Sequence, residues 1–260
     1  MTDEALDFLK YGTNLLGRLF VVDTMPNPSL IVVMPVYNEE ACIPQVIQFW
    51  LDQMSSIEGS RLLLIDDGSK DGTGAILDRI AGKDSRLEVI HQKNGGHGNA
   101  VLHGYRRALE EGPTWIFQVD SDDQIPADDL KKLWDRRSES PFILGRRAKR
   151  IDPWHRLIIS RINRGMTRIL FGVVVRDPNV PFRLMKADLL QELLKKIPAD
   201  TFAPNIFLTV LARKRGLDTL DIPVTHKIRE SGTPSLNLRK LAKVCAKCVV
   251  DALRIRRLAA

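Results

Sequence analysis

At 260 residues the chain has room for one large α/β domain with a tail, or for two small domains, and a hydrophobic fraction of 44% supplies a real core. Three cysteines, Cys42, Cys245 and Cys248, are too few for a disulfide framework and fit a reducing, cytoplasmic setting. The net charge of +7 is concentrated between Arg146 and Arg168, where eight Arg or Lys residues meet one acid, Asp152, so the segment faces either an anionic partner or solvent.

Asp3, Glu4, Asp7 and Lys10 interrupt the first apolar residues, which excludes a secretory signal there, and residues 1–29 read as a helical extension. No uninterrupted apolar run approaches the ~20 residues that cross a bilayer. Leu30–Val36 reads as a strand, Glu39–Met54 as a helix, Arg61–Asp66 as a second strand, and a second helix begins near Gly72. Leu87–Ile90 and Trp115–Val119 are further strands, separated by a helix over Gly98–Glu110. Strands spaced by helices imply βαβ units, hence an α/β fold with a mostly parallel sheet flanked by helices. Pro141–Gly145 and Pro181–Met185 are strand candidates on either side of a helix over Trp154–Leu170, and Asn205–Arg215 is another helix. The division expected is an extension (1–29), a catalytic domain (30–232) and a basic amphipathic helical tail (233–260).

In an open parallel sheet, ligands bind beyond the carboxyl ends of the strands. The polar clusters of this sequence fall there: Pro35–Glu40, Asp66–Gly72, Lys93–Asn99 and Asp120–Gln124. Asp66 and Asp67 can accept hydrogen bonds from a ribose or base edge, although Asp-Gly is also an ordinary turn. Asp120 and Asp122, one residue apart at a strand end, repel each other unless a cation lies nearby. Oxygen-only ligands suit Mg²⁺ or Mn²⁺, with Gln124 adding a neutral oxygen. The competing reading is a group of N-capping acids ahead of Ala127–Arg137. Gly95-Gly96-His97-Gly98 lacks both the dinucleotide fingerprint and the P-loop spacing. Cys245-x-x-Cys248 has no second pair to make a zinc site.

Taken together, these loops resemble the family 2 glycosyltransferases, whose fold is GT-A, a Rossmann-like arrangement. Val33–Glu40 and Ile65–Thr73 resemble its first two nucleotide-binding motifs, Asn94–Gly104 the third, and Asp120-Ser121-Asp122 its D-x-D metal motif. Within the family the chain looks most like the polyprenyl-phosphate branch, which includes dolichol-phosphate mannosyltransferases. Asp120, Asp122 and Gln124 match that branch's D-x-D-x-Q, and Asp177, Pro181-Phe182-Arg183 and Arg229-x-x-Gly232 resemble later motifs. Two departures stand out: Pro181 replaces the usual glycine of Gly-Phe-Arg, and the usual acids are replaced around Asn205 and Phe207.

The resemblance implies an inverting transfer from a GDP- or UDP-sugar, with Pro35, Tyr37, Asn38, Glu39, Asp66, Asp67, Asn94, Gly98, Asn99, Asp120 and Ser121 around the donor. Asp120, Asp122 and Gln124 would hold the metal, and Arg146, Arg147, Arg150 and Arg229 would hold the phosphate of a polyprenyl acceptor. Asp122, Asp177 and Arg229 form the expected catalytic set. A phosphate acceptor needs no base, whereas a saccharide or protein hydroxyl would, and Asp177 is the candidate. A non-enzymatic nucleic-acid binder using the basic stretch is disfavoured, because it leaves the acidic pocket unexplained. Ser235–Leu258 sets Leu238, Leu241, Cys245, Cys248, Val249 and Ala252 near one face, which suits an anionic membrane surface or the domain's own core equally. The location expected is cytoplasmic, peripheral on the inner face of the membrane, and the partners expected are that membrane surface and a membrane-embedded partner protein or a second copy in a homo-oligomer.

Overall fold

A computed structural model describes the backbone of residues 29–147, 154–175, 177, 179–225 and 238–259, with the side chains of 154–160, 162 and 238–244 outside the described set. The expected extension therefore lies outside the described residues, Ser29 apart. Strand β1 (Leu30–Val36) is buried at every position, as befits a strand covered on both faces. It pairs in parallel with β2 (Ser60–Asp66) on one side and β4 (Trp115–Val119) on the other, and β3 (Leu87–His91) lies beyond β2. The crossovers are α1 (Ile43–Met54), α2 (Thr73–Ala81) and α3 (His97–Glu110).

A 3₁₀ turn (Ala127–Asp129) and α4 (Leu130–Trp134) lead to β5 (Phe142–Arg147) and α5 (Trp154–Phe171). Then come β6 (Phe182–Lys186), α6 (Ala187–Leu194), α7 (Pro204–Lys214), β7 (Leu220–Val224) and α8 (Leu238–Ala259). The sheet order is β3-β2-β1-β4-β6-β5-β7, with β6 antiparallel to both neighbours and β7 parallel to β5. Two of these elements, α6 and β7, stand beyond the sequence reading. β7 carries Asp221 and Pro223 on the sheet edge, where a residue lacking an N–H is tolerated.

Trp50 of α1, Phe117 of β4 and Phe182 of β6 join the helix layer to the sheet, the two phenyl rings meeting edge to face at 4.7 Å. On the tail helix α8, Cys248, Asp251, Ala252 and Ile255 are buried, and the helix packs on α5 and α7.

β1 and β4 stay paired only as far as Val33 and Gln118. Beyond that point one chain turns toward α1 and the other toward the 3₁₀ turn, opening a crevice where the strand order reverses. Pro35 sits past the last pair, so no ladder bond to β4 is lost there. Such a crevice is where open α/β sheets bind ligands.

Candidate active site

The crevice is a cavity of about 420 Å³, lined from one strand end by Pro35, Val36, Tyr37 and Glu39, and from another by Asp120, Ser121 and Asp122. Asp67, Asn94, Gly96, His97 and Ala100 complete the wall. Eight of the residues expected around the donor or metal thus converge on one space. Asn38, Asp66, Gly98, Asn99 and Gln124 do not line it.

Those five have other partners. Asn38, at φ 53°, accepts from the Lys70 N–H at 2.7 Å, and its own N–H donates to Ser69 Oγ at 3.0 Å. Glu39 donates its N–H to Thr73 Oγ1, and Glu40 Oε2 accepts from the Gly72 N–H at 2.6 Å. These bonds stitch the β1 loop to the β2 loop, and they explain why α1 starts at Ile43 rather than at Glu39. Asp66 accepts from the Ser69 N–H at 3.0 Å and meets His91 Nδ1 at 2.8 Å, while His91 Nε2 lies 3.0 Å from Asp78. Asn99 Oδ1 accepts from Gln92 at 3.0 Å. At Gly98 an added Cβ would stand 2.1 Å from the Phe202 carbonyl oxygen, so this glycine lets α3 approach the turn ahead of α7.

Asp67 shapes the cavity wall. Its Oδ1 accepts from Gln92 Nε2 at 2.7 Å and the Gly95 N–H at 2.8 Å, and its Oδ2 from the Gly96 N–H at 2.9 Å. The carboxylate pins the glycine loop beneath it. Gly68, at φ 70°, permits this closeness, since a Cβ there would lie 2.8 Å from the Asn94 nitrogen.

The capping explanation of the acids fails. Pro126 occupies the N-cap of the 3₁₀ turn, and no side chain caps it. Asp120 Oδ1 accepts from Gln118 Nε2 at 3.0 Å, and His97 Nε2 lies 3.6 Å away. Burial holds the Asp120 carboxyl above its ordinary range; the neighbouring Asp122 charge adds to this, while His97, Gln118 and Arg183 oppose it. Asp122 accepts the Gln124 N–H at 3.3 Å.

Beneath the acids, a small hollow of about 20 Å³ brings Asp120, Asp122 and Gln124 together with Arg147 and Pro181. Arg147 binds Asp177 through two parallel bonds, 2.8 Å from Nε to Oδ2 and 3.0 Å from Nη2 to Oδ1. Arg146 lines a separate hollow with Asp177 and Asp221. Arg150 and Arg229 lie outside the described residues.

Sequence reasoning gave no site role to His97, Gln118 or Tyr105, and read Asn205 as the start of a helix and a departure from family pattern. The signal for Gln118 was present: an amide between Phe117 and Val119 in a strand must find partners if buried.

Residues 31–197 match the family model described as Glycosyl transferase family 2. The polyprenol monophosphomannose synthase of Mycolicibacterium smegmatis is 28% identical over 240 residues, covering 89% of each chain. The undecaprenyl-phosphate mannosyltransferase of Micrococcus luteus is 26% identical over 80% of this chain and 87% of that protein. The undecaprenyl-phosphate 4-deoxy-4-formamido-L-arabinose transferase of Proteus mirabilis is 28% identical, and the chain spans only 63% of its length. The fold is shared with glucosyl-3-phosphoglycerate synthase of Mycobacterium tuberculosis in complex with Mn²⁺, UDP-glucose and phosphoglyceric acid. That match has a TM-score of 0.63 at 18% identity, over 90% of this chain and 82% of the other. The architecture is therefore the GT-A type, and the chain belongs to glycosyl transferase family 2.

Proposed function

We propose that this family 2 glycosyltransferase moves a sugar from a nucleotide-sugar donor, with inversion, onto a polyprenyl phosphate at the inner face of a membrane. The observation that carries the reading is the meeting of two carboxylates, Asp120 and Asp122, with the guanidinium of Arg147 at the foot of the cavity. The names of the relatives from M. smegmatis and M. luteus, both acting on polyprenyl carriers, support the acceptor. The Mn²⁺ and UDP-glucose complex of the structural neighbour supports the donor and metal.

The acids suit a divalent cation. Asp120 Oδ2 has no partner among the described residues, and on the Oδ1 side the His97 ring stands 3.6 Å away. Among the described residues no group of three or more His, Cys, Asp or Glu is arranged to hold a metal ion, so two carboxylates would hold Mg²⁺ or Mn²⁺ together with the donor's phosphates. When bound, such a cation neutralises charge that grows on a departing diphosphate. Gln124, in the hollow below, completes the proposed metal set.

The chain's own groups do the rest. Tyr37, 41% exposed at the cavity wall, offers a ring face to a base. The loop pinned by Asp67 presents backbone to the donor. Arg147 offers a guanidinium that matches phosphate geometry, and Asp177 aims it. Arg146, Arg150 and Arg229 make up the remainder of the proposed acceptor set. A hydroxyl acceptor would call for a base, but both oxygens of Asp177 are engaged by Arg147. An anionic phosphate oxygen needs none.

No helix among the described residues is long and apolar enough to cross a membrane. Approach to the lipid is assigned to the face of α8 opposite its buried residues, where Val249, Val250 and Leu253 are exposed ahead of Arg256 and Arg257.

The test is a screen of GDP- and UDP-sugars with Mn²⁺, with and without a polyprenyl phosphate. A labelled product that extracts into organic solvent only when the lipid is present is the expected result. Transfer solely to soluble saccharides would overturn the acceptor assignment.

A further inference from the structure

Gln118 is fully buried near the carboxyl end of β4, where an amide is costly unless both ends are bonded. Both are. Its Nε2 donates to Asp120 Oδ1 at 3.0 Å, and its Oε1 accepts from Asn205 Nδ2 at 2.9 Å. Asn205 Oδ1 accepts in turn from the Tyr105 hydroxyl at 3.0 Å. Tyr105 and Asn205 are themselves buried.

The chain can run in only one direction. With Asp120 ionised, as a metal ligand is, it accepts and never donates, so Gln118 turns its NH₂ toward Asp120 and its carbonyl toward Asn205. Asn205 must then present NH₂ to Gln118 and its own carbonyl to Tyr105. Burial pushes the Tyr105 phenol upward, which keeps it an O–H donor. Asn205 is anchored through its backbone, whose carbonyl accepts from Arg183 Nη1 at 2.9 Å. Three elements, α3, α7 and β4, thereby converge on one carboxylate oxygen.

We infer that Tyr105, Asn205 and Gln118 form a positioning relay that fixes the Asp120 carboxylate by its Oδ1 and leaves Oδ2 for the metal. The inference rests on the reading that Asp120 and Asp122 hold a divalent cation. None of the three touches the cavity, so their effect on the reaction passes through Asp120. Groups that orient a metal ligand typically change metal affinity about 10- to 100-fold when removed.

The test measures Mn²⁺ binding by electron paramagnetic resonance on the full chain, with GDP and with UDP in turn. Gln118→Met keeps the side chain's length and removes its N–H. Mn²⁺ affinity is expected to fall about tenfold or more, while nucleotide binding in EDTA stays unchanged. Tyr105→Phe, two bonds further out, gives a smaller loss in the same direction. Equal Mn²⁺ affinity in Gln118→Met and the unaltered chain overturns the relay, as does loss of nucleotide binding in EDTA, which marks general damage to the site. Should Gln118→Met fail to fold, Tyr105→Phe decides, and unchanged Mn²⁺ affinity there overturns the relay. Absence of Mn²⁺ binding by the unaltered chain with either nucleotide overturns the metal reading itself, and the relay with it.

Discussion

Arg147 and Asp177 face each other as a two-point ion pair, and both side chains are nearly closed to solvent, at 11% and 14% exposed. The pair ties the end of β5 to the loop before β6, directly beside the hollow that holds Asp120 and Asp122. If Asp177 aims Arg147 at the acceptor phosphate, Asp177→Asn raises the acceptor KM and leaves kcat largely intact. Arg147→Lys does the same, because a single ammonium cannot reproduce the fork. A general base behaves otherwise: its loss lowers kcat by about 10²–10⁴ with little effect on acceptor KM. Steady-state kinetics against polyprenyl phosphate separate the two.

Asp122 adds charge against a neighbour that burial already disfavours in its ionised form. Asp122→Asn should therefore abolish metal-dependent transfer while the metal-free protein melts at the same temperature or slightly higher. Sites that hold like charges together for a ligand are commonly less stable than they could be. Activity assays and a thermal melt in EDTA check the two halves. A large drop in melting temperature would assign Asp122 to the fold instead.

How far these features could be read from sequence depends on their reach along the chain. The apolar run Leu30–Val36 and the polar residues after it declare a buried strand and its loaded end, because both are local patterns. The four strand-end clusters were legible for the same reason. The antiparallel course of β6 was not, since a short run such as Phe182–Lys186, buried at four successive positions, reads alike in either direction. The bonds from Gln118 to Asn205 and from Tyr105 to Asn205 join residues 87 and 100 positions apart, and no spacing rule spans that distance. Asn38 and Asn99 carried the right residue types in the right loops, yet their side chains knit those loops together.

The closeness of α3 to the turn before α7 has a stability consequence. A Cβ at Gly98 would collide with the Phe202 carbonyl, and backbone cannot rotate away as a side chain can. Gly98→Ala is expected to cost about 1–3 kcal/mol, the usual range for overpacking. The shift should appear in the midpoint of urea unfolding. An unchanged midpoint would mean that the 201–203 turn yields freely.

His91 bridges Asp78 and Asp66, and these bonds raise its pKa above the ordinary 6.5. A raised folded-state pKa stabilises the protein fully below about pH 6.5, and the contribution fades as pH climbs through the folded value. The melting temperature should therefore decline across that interval in the unaltered chain and be flatter in His91→Gln. With 43% of the His91 side chain exposed, solvent screening keeps the effect small. Parallel melts over a pH series, at one ionic strength, give the comparison.

The two faces of α8 can be tested apart. On the inner face Asp251 accepts the Phe202 N–H at 2.9 Å, and at the exposed flank Arg254 reaches Asp200 at 2.9 Å, so the helix is tied to the domain by more than apolar contact. On the outer face Val250 is 53% exposed and Leu253 44%. Replacing both outer residues with Asp should leave the melting temperature nearly unchanged, since neither is in the core. The same change should reduce co-sedimentation with anionic vesicles, because a charge in an apolar face opposes insertion. Asp251→Ala, which removes the acceptor for the Phe202 N–H, should do the opposite, lowering stability by about 1–3 kcal/mol with vesicle binding retained by the folded protein. If the doubly substituted chain pellets with vesicles as the unaltered one does, lipid contact lies elsewhere on the molecule.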